Sequence, residues 1–432
     1  MYTRLRKVFG LPILLSVSLF NGVWLTAFSS TSAIAQQVNP LLRQEFLANP
    51  LASEPRDPLL PVLGVDREYS PLEKRAIAAN LNQLNQEAQA QLAAGNPDEA
   101  FAIWRREIKL RRVLSTQAEF AVIRQVAPVA WAQQRTTDVQ LLTLRTREIW
   151  DVIRASLGVE VEDELGESDP SSPTNSPISG APTADIALLN EIAQTFVTLR
   201  DIDSAVDVYQ QTIRLSAERD RDQTAQQIAL AELHLEWFQF AEAANLYLQL
   251  LNQARAQNDA ASEQAYLERL VYSYQQADAL LNAARAQTDL LAIYQAQGEA
   301  EKLPELLLAI AQNYRALNLP TNAIEYYRAA YSTAQRSGQF SFSARVLQEL
   351  GALYQAIALT DDALGAYTLL VLVEEQSYND YGIMNAYDSI GRIQRRQGNT
   401  LEALKAFEKA LVIANRLSLR EDYFVEQIES VT

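Results

Sequence analysis

"NTLEALKAFEKAL", residues 399–411, places Ala403, Phe407 and Ala410 at intervals of four and three. The stretch "TDDALGAYTLLV", residues 360–371, does the same with Ala363, Tyr367 and Leu370, and "PTNAIEYYRAAY", residues 320–331, with Ala323, Tyr327 and Ala330. Apolar spacings of three and four put these residues on one face of a helix. Recurrence of a small-then-aromatic pair every 40 residues makes the helix part of a repeat rather than a lone amphipathic element.

Aligned on the small residue, the register runs Ala205, Ala243, Ala283, Ala323, Ala363 and Ala403, with separations of 38, 40, 40, 40 and 40. Twelve positions upstream stand Ala193, Ala231, Val271, Ala311, Gly351 and Gly391, each preceded by Ile or Leu. Three positions after those come Phe196, His234, Tyr274, Tyr314, Tyr354 and Gln394. Each unit is therefore two amphipathic helices joined by a short polar turn, such as "LNLPTN" or "RRQGNT". Small residues at two fixed places let the helices approach closely, and an aromatic ring fills the space beside them. One hairpin cannot cover its own apolar face, whereas stacking it on the next copy does.

This pattern resembles the tetratricopeptide repeat family over roughly residues 84–421, best in 304–342, 344–383 and 384–421. Val271 is larger than the pattern wants, Gln287 replaces the second aromatic, and the 40-residue period calls for longer helices than the commonest 34. The resemblance implies an all-α fold, a right-handed superhelical solenoid of about eight TPR-like hairpins. Six fall in residues 185–421 and two degenerate ones in 70–157, with a capping segment at 422–432. The earlier pair opens on "SPLE", where Ser70, Pro71 and Glu73 suit an N-cap, a first-turn proline and a capping box. Residues 36–69, carrying five prolines, read as an extended N-terminal segment, and 158–184, acidic then Pro/Ser-rich, as a disordered loop.

Residues 1–35 have a basic start (Arg4, Arg6, Lys7), an apolar stretch broken at Asn21, and the small residues Ala33 and Ala35 before Gln36. That is the pattern of a cleavable secretory signal, predicting export to a periplasm or a thylakoid lumen and no stable membrane insertion of the mature chain. The whole chain carries 37 Lys+Arg against 53 Asp+Glu; cleavage removes three of the basic residues and no acidic one, taking the net charge from −16 to −19. Such a charge opposes approach to nucleic-acid phosphates. With no cysteine, disulfides, thiolate metal sites and cysteine nucleophiles are excluded.

Catalytic motifs are lacking. The one histidine, His234, occupies an aromatic slot of the repeat and reads as a hydrogen-bonded core imidazole, and no phosphate loop, dinucleotide fingerprint or nucleophile elbow is present. The sequence thus predicts a protein that is not an enzyme. A hydrolase site in residues 36–156 and a self-associating structural envelope protein are the competing readings. The acidic run contains Glu160, Glu162, Asp163 and Glu164, oxygen ligands of the type that hold Mn²⁺ or Ca²⁺, without EF-hand spacing; no other cofactor is expected.

In the family, the first helices line a groove that binds a partner protein or peptide. Carried onto this chain, the lining comprises Asn190, Gln194, Glu232, Glu236, Glu268, Tyr272, Gln275, Gln276, Gln312, Arg315, Gln348, Gln355, Asp388, Arg392, Arg395 and Arg396. Amides and charges dominate, which suits an extended peptide. Arg392, Arg395 and Arg396, within about one turn, read as a cradle for a carboxylate. The family's Lys/Asn carboxylate clamp is not reproduced.

Overall fold

The computed structural model describes residues 38–53, 55–63, 67–158 and 185–432. Residues 1–35, expected to be a secretory signal, and the acidic run with Glu160, Glu162, Asp163 and Glu164 lie outside these residues. The described residues form eighteen α-helices and no strand, in two compact units that divide after Arg219.

The first unit holds α1 (Pro40–Leu47), α2 (Pro71–Ala93), α3 (Pro97–Arg111), α4 (Thr116–Ala132), α5 (Thr136–Ser156), α6 (Ile186–Leu199) and α7 (Ile202–Glu218). Helix α1 corrects the expectation of an extended segment over 36–69. Pro40 sits at a first-turn position where its missing N–H costs nothing, and the Asn39 side chain accepts from the Leu41 amide at 3.0 Å. Eight residues are too few for a periodic signal, so only the prolines were legible. Further along, Leu60 and Tyr69 are buried against Ile77, Leu81, Leu84 and Leu110. Ser70 and Glu73 close a capping box at the start of α2.

A fully buried carboxylate ties this unit together. Glu119 on α4 accepts from Arg112 Nε at 2.9 Å and from Arg145 on α5 at 2.8 and 3.0 Å. The Arg112 guanidinium also lies 5.1 Å over the Phe46 ring and donates to the Leu47 carbonyl at 3.2 Å, meeting the negative end of the α1 dipole. Burial alone would raise the Glu119 carboxyl, but the two guanidiniums outweigh it and hold the group below its ordinary range.

The second unit is a run of five hairpins and a cap. They are α8 (Thr224–Glu236) with α9 (Phe240–Gln257), α10 (Ala260–Gln276) with α11 (Leu280–Gln297), and α12 (Leu303–Ala316) with α13 (Pro320–Arg336). Then follow α14 (Phe340–Ala356) with α15 (Thr360–Gln376), α16 (Asp380–Arg396) with α17 (Thr400–Leu417), and α18 (Glu421–Glu429). Within this unit, helices consecutive in the chain pack on one another.

The reversals keep strict time. A left-handed residue stands every twenty positions: Phe238, Asn258, Asp278, Gly298, Asn318, Gly338, Ala358, Tyr378, Gly398 and Ser418. In each case the next amide reaches back to a carbonyl of the last helical turn, as from Gln239 to His234 at 2.8 Å and from Asn399 to Gln394 at 2.9 Å. This is the Schellman bond that satisfies the orphan carbonyls at a helix end.

Between reversals, the small-and-aromatic pairs dock as the spacing requires. Ala243, Ala283, Ala323, Ala363 and Ala403 are all fully buried. A Cβ on Gly351 would stand 2.8 Å from the Tyr367 ring, and one on Gly391 would stand 2.6 Å from the Phe407 ring. The missing side chain of the first helix is therefore the seat of the second helix's ring. His234 is buried as well, its Nδ1 2.6 Å from Gln239 Oε1.

Two predictions follow the packing. Gly391→Ala should lower stability by about 1–2 kcal/mol, because overpacking against Phe407 outweighs the helical preference of alanine; Gly365→Ala on open surface of α15 should raise it by about 0.5–1 kcal/mol. Urea titration of both variants checks the opposite signs. Glu119→Gln should cost about 3–5 kcal/mol by leaving the buried Arg112 without its counter-charge and Arg145 with Glu148 alone, read from the emission of the buried Trp104 and Trp150 in the same unit. Since the Glu119 pKa is depressed in the fold, its stabilisation is present above about pH 5 and drains away as pH falls, so the wild type alone should lose this increment on acidification.

Candidate docking face of the second unit

The first helices α8, α10, α12, α14 and α16 carry most of the residues expected to meet a partner. Their packing on one another and on the second helices divides those residues into two sets, because a polar side chain in a crowded seam finds an internal partner before any ligand arrives.

The carboxylates are largely held by tyrosine hydroxyls. Glu232 accepts from Tyr247 at 2.5 Å and pairs with Arg269 at 3.2 Å. Glu268 accepts from Tyr294 at 3.0 Å and from Gln264 at 2.9 Å. Asp388 is buried, accepting from Tyr423 at 2.9 Å and from Arg420 at 3.1 Å, both contributed by the C-terminal cap. Between the third and fourth hairpins, Gln312 donates to both oxygens of Glu349 at 3.0 Å, Tyr327 donates at 2.9 Å, and Arg315 stands 4.0 Å away.

Glu349 was not legible as part of this face. Its register position is filled in the other hairpins by Ala229, Arg269, Ala309 and Ser389. A single departure of residue type has no chemical meaning until Tyr327 and Arg315 are placed beside it. These clusters hold the phenols neutral. Burial first, and then the Glu349 charge against an opposing Arg315, pushes Tyr327 up to about 12. Tyr247 and Tyr294 are raised by burial and by Glu232 and Glu268 respectively.

The three arginines of α16 do not converge. Arg395 turns to the cap, donating to Gln427 at 2.7 Å and Ser430 at 2.9 Å. Arg396 turns the other way and donates to Gln355 at 2.8 Å. Arg392 is exposed, its side chain forming no hydrogen bond or ion pair among the described residues, and its charge lies within reach of the Tyr367 and Tyr423 hydroxyls. Glu236, Gln275, Gln276 and Gln348 are likewise exposed, and Tyr272 is exposed with its ring edge-on to Phe240. Asn190, half-buried, and Gln194, exposed, lie on α6 in the first unit. Among the described residues no group of three His, Asp or Glu side chains is placed to hold a metal ion.

Residues 304–336 and 385–415 match the family model of the tetratricopeptide repeat. They coincide with α12–α13 and with most of α16–α17. No curated protein matches the chain. Among solved structures, BtubC (BKLC) from P. vanneervenii is similar at 21% identity, over 51% of this chain and 91% of that one, with a TM-score of 0.33. MamA is similar at 19% identity, over 44% and 96%, with a TM-score of 0.31. Aspartyl phosphate phosphatase F from Bacillus subtilis is similar at 14% identity, over 72% and 78%, with a TM-score of 0.33.

If Tyr327 clamps Glu349, Tyr327→Phe should cost about 1–2 kcal/mol at neutral pH, the loss of a hydrogen bond to a charged acceptor. The raised phenol also adds an alkaline signature. Its stabilisation is complete below its ordinary value near 10 and is lost as pH climbs toward about 12, so wild type and Tyr327→Phe should converge in stability over that window. Urea titrations at stepped pH would show parallel curves instead if the hydroxyl plays no such part.

Proposed function

We propose that the chain is a non-catalytic scaffold that docks a partner protein through the first-helix face of its second unit. Arg392 carries this reading: on a face where Glu232, Glu268, Asp388 and the other two arginines of α16 are engaged, it is a cation left exposed. On other first helices, exposed amides at Gln275 and Gln276 of α10 and Gln348 of α14 offer hydrogen bonds to an extended backbone. The ligand that suits this set is a peptide carrying a carboxylate, a chain terminus included. The two repeats that match the tetratricopeptide family support a protein-interaction role. His234 is buried, its Nδ1 held 2.6 Å from Gln239 Oε1, in keeping with a structural place in the repeat.

Export is part of the proposal and rests on the pattern of residues 1–35; no helix of the described residues is long and apolar enough to cross a membrane. The finer reading is a periplasmic PratA-type factor that aids photosystem II assembly by binding the C-terminal part of a subunit and supplying Mn²⁺. What supports it is the secretory pattern, the net charge of the mature chain and the acidic run at 160–164, which would furnish the oxygen ligands.

The test is in-cell crosslinking of the full-length protein with mass spectrometric mapping. Crosslinks from one partner to α8, α10, α12, α14 and α16 are expected, and Arg392→Glu should reduce capture about tenfold, a charge-pair loss of the size seen at interface hot spots, while leaving the melting temperature unchanged. Undiminished capture by Arg392→Glu would remove the carboxylate reading. Crosslinks confined to other copies of the chain would favour a self-associating protein instead.

A further inference from the structure

Phe238 sits in the left-handed conformation (φ 60°) with 80% of its surface exposed, in a turn position that the following hairpins fill with Asp278, Asn318, Ala358 and Gly398. Those successors are ordinary; a large β-substituted side chain with positive φ is not. The residue is doubly misplaced if the turn is all that matters, since the ring neither suits its backbone nor leaves water.

It does not stand alone. Its ring meets that of Phe240 edge-on at 6.0 Å, and Phe240 meets Tyr272 edge-on at 6.3 Å. Trp237 beside it is 42% exposed and Tyr272 45%. Four aromatic side chains thus run from the turn between α8 and α9 onto the exposed face of α10. Edge-to-face rings hold a fixed relief and bury a partner's side chain at small entropic cost.

The charge around this ridge selects the partner. No lysine or arginine occurs between Arg221 and Arg255, whereas Glu236 and Glu242 flank the aromatic run in sequence. Both are exposed and form no ion pair or hydrogen bond among the described residues. In the adjoining hairpin the guanidinium of α10, Arg269, is paired with Glu232, and Arg285 stands on α11. Exposed aromatic faces attract cations through their quadrupole, and unpaired carboxylates add to that attraction.

We propose that this ridge docks a cationic, amphipathic protein segment, one in which aliphatic side chains are bracketed by lysine or arginine. The aliphatic groups cover Trp237, Phe238 and Phe240, and the cations meet Glu236 and Glu242. The site is separate from the carboxylate-binding position at Arg392 and calls for the opposite charge.

The probe is a labelled peptide, Lys-Leu-Leu-Lys-Lys-Leu-Leu-Lys, titrated against the full chain, with two controls: glutamate replacing each lysine, and serine replacing each leucine. The leucine–lysine peptide should bind, shift Trp237 emission to the blue, and exceed both controls by about tenfold. Phe238→Gly supplies the variant, because glycine suits the left-handed turn: its melting temperature should rise while affinity for the peptide falls about tenfold. Equal affinity of Phe238→Gly and wild type would overturn the proposal. So would equal binding of the serine control, which makes the attraction one of charge alone, or of the glutamate control, which makes it one of apolar contact alone.

Discussion

A left-handed residue every twenty positions, locked by the backbone bond that follows it, is the constraint on which the second unit depends. Reversal at a fixed interval gives helices of nearly equal length, and equal lengths bring the same register position of successive hairpins to the same depth. Only then can Ala323 and Tyr327 repeat as Ala363 and Tyr367 and as Ala403 and Phe407 and find identical surroundings. The aromatic ring needs a vacancy opposite, and Gly351 and Gly391 provide one because the reversal has set their height. Shifting any turn by one residue would rotate the next helix by about 100° and turn its rings away from their seats.

That interval was half-legible in the sequence. The 40-residue spacing of small and aromatic residues exposed the hairpins because core positions tolerate few residue types. The turns themselves were invisible as a series. Phe, Asn, Asp, Gly, Ala, Tyr and Ser all occupy the left-handed position, since a surface turn is fixed by its backbone bond and by the helices on either side. In the first unit the signal failed for a different reason. Helix α1 is eight residues long, and what secures it is a distant guanidinium, Arg112, which stacks on Phe46 and caps the helix end. No local pattern encodes a contact across some 65 positions of chain.

The candidate site divides along the same line. Reading the first-helix face by register alone named its residues but could not tell a residue that waits for a ligand from one already engaged. Glu232, Glu268 and Asp388 look alike in sequence to any exposed acid, yet each holds a tyrosine hydroxyl. Arg392, Arg395 and Arg396 look like one cluster, yet a helix turns 100° per residue and carries the last two toward different neighbours. Glu349 shows the converse, a group with no sequence signal that the fold makes central.

The two units solve the problem of stability without cysteine in different ways, and the difference bears on what each can spare for binding. The first unit buries charge: Glu119 is inaccessible between two guanidiniums, and removing it strips Arg112 of its carboxylate and leaves Arg145 only Glu148. Such a network fixes its helices but consumes its charged groups internally. The second unit relies on rings seated on small residues, and its polar seams are neutral phenols bound to carboxylates. Because that packing is apolar and local, it leaves the side chains at single positions on each first helix and each turn free of packing duty. Arg392 and Phe238 occupy two such positions, one a cation and the other an aromatic ring in an acidic neighbourhood. An array of this kind can therefore vary its binding chemistry hairpin by hairpin while its core register stays constant, because a turn fixes the register through its backbone and leaves the side chain there free, and the outward first-helix positions are not the ring seats.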